Sequence, residues 1–203
     1  MSKRIYISAD YSEDQGDRDV VNALNDLGMD NYHVVNFVDM SKVVSGSVSR
    51  DSDCRPCDLK DEFNRQINAS SVVVFIVGDR TKYRTAGSSC SRSKPNQYSY
   101  TCTPYKQNTN GVKYCKKYTN SYSWYNTDVD EINDYSYLRH EFEQAKRKNK
   151  PIVILYNSTR YETSWLPNYM KGYENCAIPF WTIDSYGRRV VNYNKLKEEL
   201  GYE

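Results

Sequence analysis

The chain has 203 residues, 27% charged and 38% apolar, with a net charge of +2; that is long enough for one domain with a substantial core, and the charge by itself selects no class of partner. The longest apolar run, Val72–Val77, is far too short to span a bilayer, and Met1–Arg4 leads directly into Ile5-Tyr6-Ile7 with no apolar core of a secretory signal. A soluble, cytoplasmic protein is therefore expected, with its six cysteines as reduced thiols or metal ligands rather than a disulfide framework.

The first predicted element is a strand over Lys3–Ala9, in which Arg4, Tyr6 and Ser8 alternate with Ile5, Ile7 and Ala9. It ends in the polar turn Asp10–Asp14. Ser12 and Gln15 have the spacing of a capping box, and Val20, Val21, Leu24 and Leu27 supply the stripe of a helix closed by Gly28. Tyr32–Met40 is the second strand, with Asp39 at the end where an open parallel sheet binds ligands. After the polar loop Ser41–Cys57, Asp58 is expected to cap a helix with Leu59, Phe63 and Ile67 on one face. Val72–Val77 is apolar throughout, the pattern of a strand buried on both faces.

Tyr83–Asp130 then breaks the pattern, within an insert at about residues 81–133. From Arg80 to Thr127 there are nine Lys and Arg and no Asp or Glu, so the remainder carries 19 basic against 26 acidic residues. A structureless loop of that length does not suit a compact domain. Small hairpins, clamping by cysteines, or disorder until a partner binds are the three expectations.

The segment Asp134–Leu155 follows. Leu138, Phe142 and Ala145 form one apolar stripe of a helix, Tyr137 and Glu141 stack one turn apart beside it at the rim of the core, and Lys146–Lys150 suit the negative helix end before Pro151 stops it. Ile152–Tyr156 is a buried strand, Ser164–Met170 a short helix, Cys176–Ile183 an edge strand marked by Pro179, and Tyr193–Leu200 a closing helix. The order predicts an α/β fold for residues 1–203 as a single domain. It is a flavodoxin-like three-layer sandwich, with a five-stranded parallel sheet, helices on both faces, and the long basic Tyr- and Cys-containing insert before the fourth-strand helix.

Three segments carry a resemblance. Arg4-Ile-Tyr-Ile-Ser-Ala-Asp-Tyr11 looks like the first box of the TIR domain; Ile67–Thr81, with paired serines before the central strand, is similar to its helix-to-strand segment; Tyr137-Leu-Arg-His-Glu-Phe142 resembles its W-x-R-Y-E-hydrophobic box, with Tyr for Trp. In order and context they resemble the TIR-like proteins of bacterial Thoeris anti-phage systems. The insert has no counterpart in a minimal TIR domain.

That resemblance implies an enzyme that cleaves NAD at the nicotinamide–ribose bond and makes an ADP-ribose-type signal, cyclic or conjugated, with no cofactor, for a downstream effector. Glu141 is implied as the catalytic residue. Nicotinamide in NAD is a cationic leaving group that needs no proton, so a single carboxylate suffices to orient the ribose hydroxyls and stabilise an oxocarbenium-like transition state. Ser8, Ala9, Asp10, Tyr11 and Tyr137 are candidate substrate contacts, with Asp39, Ser41 and Lys42 at the start of a loop that closes the cleft in TIR proteins.

Other chemistry is poorly supported. No G-x-G-x-x-G or G-x-x-x-x-G-K-[ST] occurs. His33 lies in a strand pattern and His140 beside Arg139 on a helix surface, neither in a triad-like setting; a receiver-like acidic pocket of Asp10, Asp14 and Asp39 lacks its lysine. Cys54-x-x-Cys57 with Cys90, Cys102 and Cys115 leaves a structural zinc open, and Cys176 reads as a core thiol. The alternative function is a non-catalytic TIR-like interaction module, self-associating or bound to a protein through the insert, whose interleaved Lys, Arg and Tyr also suit single-stranded nucleic acid.

Overall fold

The computed structural model describes residues 3–10, 16–29, 35–39, 55–85, 106–107, 113–114 and 136–202. Strands β1 (Lys3–Ser8), β2 (Val35–Asp39), β3 (Val72–Val77), β6 (Ile152–Tyr156) and β7 (Ala177–Pro179) form one parallel sheet in the order β2-β1-β3-β6-β7. Helices α1 (Arg18–Met29), α2 (Arg55–Ala69), α3 (Tyr137–Arg147) and α4 (Tyr193–Glu199) cover it. This is the flavodoxin-like order.

The side-chain period of the strands sorts the core into two layers. Ile5, Ile7, Val72, Val74, Ile76, Val153 and Leu155 face Val20, Val21 and Leu24 of α1 and Leu196 of α4. Tyr6, Val73, Phe75, Val77, Ile154 and Tyr156 face Phe63 and Ile67 of α2 and Phe142 and Ala145 of α3. Both faces of β1 are thus covered, and Tyr6 and Ser8, on the more polar side of the alternation, are buried. Lys3 closes the chain on itself by donating to the Leu200 carbonyl at 2.9 Å, a cation at the end of α4.

Several boundaries differ from the sequence expectation. Residues 16–17 are not helical, α1 begins at Arg18 and continues through Gly28 to Met29, and the expected capping pair Ser12 and Gln15 lies outside the described residues. α2 begins at Arg55, ahead of Asp58; Pro56 in its first turn lacks only an N–H that has no helical acceptor there. Residues 163–170 form two 3₁₀ turns separated by Leu166 and Pro167 rather than one helix. Pro179 does end the sheet edge, but Trp181–Ile183 (β8) leaves to pair antiparallel with Arg189–Val191 (β9). Among the described residues of the insert, Lys106–Gln107 (β4) pairs antiparallel with Lys113–Tyr114 (β5). No helix among the described residues is long and apolar enough to cross a membrane.

Gly78, just after β3, is a position where packing demands glycine. A Cβ there would lie 2.5 Å from Asp17 Oδ1, and that carboxyl is buried and held by Asn157 Nδ2 at 3.0 Å. Gly78→Ala is therefore expected to destabilise the fold by about 1–3 kcal/mol through overpacking. Urea denaturation of Gly78→Ala, Asp17→Ala and the double variant checks it: the double change should cost less than the two single losses added together.

Candidate active site

Helix α3 is placed by its cap and by one aromatic side chain. Ser136 sits in extended conformation and its hydroxyl accepts the Arg139 N–H at 3.0 Å, which caps the helix that begins at Tyr137. Phe142, fully buried, makes edge contacts with Phe75 and Tyr173 at 5.5 and 5.0 Å between ring centroids. With Phe142 pointing at β3, the preceding side chain is turned toward β1.

That side chain is Glu141. Tyr6 donates its hydroxyl to Glu141 Oε1 at 2.6 Å, and Ser8 donates to Oε2. Tyr6 and Ser8 are two apart on one face of β1, so a single strand face supplies both donors. Glu141 is 4% exposed, not at the rim where its helical position alone would place it. Burial pushes its carboxyl up to about 7, against the opposing donations of Ser8 and Tyr6. A buried carboxyl with two donors and a midpoint near neutrality changes charge where a cell operates.

Ser8 ends β1 and pairs with Phe75 of β3. The chain goes from β1 outward to β2 on one side and returns to β3 on the other, so this is the topological switch point, beyond whose strand ends open α/β sheets bind ligands. Tyr137, one turn before Glu141, is half-buried with its ring edge-on to Phe63 at 5.6 Å and 87°. Ala9 is buried, and Asp10 is ion-paired with Arg84 at 2.6 Å. Asp39 pairs with Ile7 through the backbone; its side chain, with Tyr11, Ser41, Lys42 and His33, lies outside the described residues.

No protein-family model, curated protein or solved structure matches this chain.

His140 is not on the surface. It is 4% exposed, its Nε2 pairs with Asn64 Oδ1 at 3.0 Å, and burial with the nearby Lys60 charge pushes it down to about 3, so it is neutral at physiological pH. Together with the Gln144–Asn68 hydrogen bond at 2.8 Å it forms a polar seam between α2 and α3. Cys176 is half-buried rather than in the core. Cys54, Cys90, Cys102 and Cys115, and the side chain of Cys57 in the first turn of α2, lie outside the described residues; among the described residues no group of three His, Cys, Asp or Glu is disposed to hold a metal.

Two polar residues of this edge were not singled out from sequence. Tyr6 carried a legible signal, since it shares a strand face with Ser8. Asp17 did not: it is buried and pushed up to about 6 by desolvation, with Asn157 opposing and Asp10, Asp19 and Asp79 adding to the rise. Its partner Asn157 lies 140 positions away and also accepts from Trp181 Nε1 at 2.8 Å.

Tyr6→Phe tests the carboxyl cage. At pH 8, where Glu141 is charged, losing this donor is expected to cost about 1–3 kcal/mol; at pH 5, where the carboxyl holds its proton, the cost is smaller. Denaturation midpoints at the two pH values measure the difference.

Proposed function

We propose that this chain is a TIR-like enzyme that cleaves NAD at the nicotinamide–ribose bond and produces an ADP-ribose-type signal for an effector protein in bacterial anti-phage defence. The observation that carries the reading is the Glu141 carboxyl, caged by Tyr6 and Ser8 at the switch point and ionising near neutrality. In its charged form it accepts hydrogen bonds from the ribose hydroxyls, which take the place of the Ser8 or Tyr6 donor. Negative charge fixed there stabilises the oxocarbenium character that develops as nicotinamide departs. Nicotinamide leaves neutral with the bonding electron pair, so no acid is needed. Tyr137 supplies an aromatic wall one helical turn away.

The test is nicotinamide release by the purified protein as a function of pH. Glu141→Gln is expected to lower the rate on the order of 10³-fold, and the wild-type rate should rise with pH through about 7 as Glu141 ionises.

The burial of Glu141 also favours a second reading, in which the residue is an internal anchor between α3 and β1 in a non-catalytic interaction module. In that case no nicotinamide is released at any pH and Glu141→Gln alters stability alone.

A further inference from the structure

Two segments leave the sheet at the switch point, residues 9–10 after β1 and residues 78–85 after β3. The second is well anchored. The Gly78 N–H donates to the Thr81 hydroxyl at 2.8 Å, the Tyr83 N–H to the Arg80 carbonyl at 2.9 Å, and Lys82 Nζ to the Ser164 carbonyl at 3.0 Å. Thr81 is buried inside this turn. Arg84, immediately after it, is thereby brought to the end of β1, where its Nε lies 2.6 Å from Asp10 Oδ2; the two side chains are 37% and 14% exposed.

Asp10 stands two residues beyond Ser8, the donor to Glu141 Oε2. A cationic, planar, partly exposed guanidinium thus stands on the ligand-binding edge, at the end of the strand whose Ser8 holds the candidate carboxylate. Its fork matches phosphate oxygens in two parallel hydrogen bonds, a geometry that lysine does not reproduce. A diphosphate also brings more negative charge to the guanidinium than the single carboxylate that holds it in the free protein.

We infer that Arg84 is the diphosphate-binding residue of this site, and that Asp10 is its resident counter-ion, which the ligand displaces. This rests on the nucleotide reading of Glu141 and extends it: specificity for a dinucleotide over a nucleoside resides in the first turn of the chain that leads into the basic insert. Arg84 is in this view a binding residue, prepositioned by an ion pair that lapses when substrate arrives.

The sign of the two partner substitutions separates this role from a structural strap. Calorimetric titration with ADP-ribose, in the full chain carrying Glu141→Gln so that nothing turns over, compares added Arg84→Ala, Arg84→Lys and Asp10→Asn. Arg84→Ala is expected to weaken ADP-ribose by about tenfold or more, Arg84→Lys by less, and Asp10→Asn to tighten it, while circular dichroism stays native. The inference falls if Arg84→Ala binds as its parent does, if Asp10→Asn weakens binding as much as Arg84→Ala, or if the parent does not bind ADP-ribose. Nicotinamide release by the wild type is followed in parallel: binding without cleavage would end the enzymatic reading and leave the phosphate site standing, and cleavage with unaltered Arg84→Ala binding would do the reverse.

Discussion

Glu141→Gln is expected to be more stable than the wild type at pH 8 and no more stable near pH 4. Folding raises the Glu141 carboxyl from 4.5 to about 7, chiefly by burial. Below pH 4.5 the folded and unfolded chains both hold the proton, and the burial carries no ionisation cost. Between pH 4.5 and about 7 the unfolded chain gives up a proton that the folded chain keeps, so stability falls as pH rises. Above about 7 the full difference has been lost, on the order of 3 kcal/mol for a shift of this size. Glutamine keeps the shape and accepts from Tyr6 but does not ionise, so it removes this slope. Asp17, raised from 3.8 to about 6, adds a slope of the same sign at lower pH, and His140, lowered to about 3, one of opposite sign below pH 6.5. Both are present in wild type and variant and cancel in the comparison. Thermal unfolding of the pair at pH 4, 6 and 8 measures it; equal midpoints at pH 8 would show that Glu141 is not held at an energetic cost.

Phe142→Ala is expected to cost about 3–5 kcal/mol, the largest loss from any single side chain discussed. The ring is fully buried among Phe75, Tyr169 and Tyr173 and lies between α3 and the central strand. Its removal leaves a cavity that the neighbouring rings and the sheet backbone cannot close. Phe142→Leu, which keeps most of the volume, should cost about 1 kcal/mol. Because Phe142 sets the rotation of α3, the alanine variant should also lose the pH 8 advantage that Glu141→Gln confers, the carboxyl no longer being locked against Tyr6 and Ser8. Urea denaturation of Phe142→Ala with and without Glu141→Gln reads both effects.

The sheet and most of its helices were legible because their signals are local and repeated. The run Val72–Val77 announces a strand covered on both faces, and Leu138, Phe142 and Ala145 announce one side of a helix. What misled were residues whose surroundings come from elsewhere in the chain. Alternation in β1 implies an exposed face, yet α3 covers that face and buries Tyr6 and Ser8. His140 and Glu141 look like surface residues of an amphipathic helix until α2 and β1 are packed on either side of them. Polar side chains on those neighbours satisfy them, so apolar patterning leaves no trace of their burial. Asp58 has the chemistry of a helix cap, yet α2 begins three residues earlier, at Arg55, with Pro56 in its first turn, where a missing N–H costs nothing. Asp17 and Asn157 meet only when β6 is laid beside β3, and no spacing in the sequence encodes that meeting.

The most direct test of the enzymatic account is the nucleotide pool of cells expressing the wild type or Glu141→Gln, with and without phage infection, resolved by chromatography and mass spectrometry. The account predicts that NAD falls and an ADP-ribose derivative appears on infection with the wild type, and that neither change occurs with Glu141→Gln. Unchanged pools in wild-type cells challenged with several phages, while the folded protein is present, would contradict it and leave Glu141 as an anchor in an interaction module.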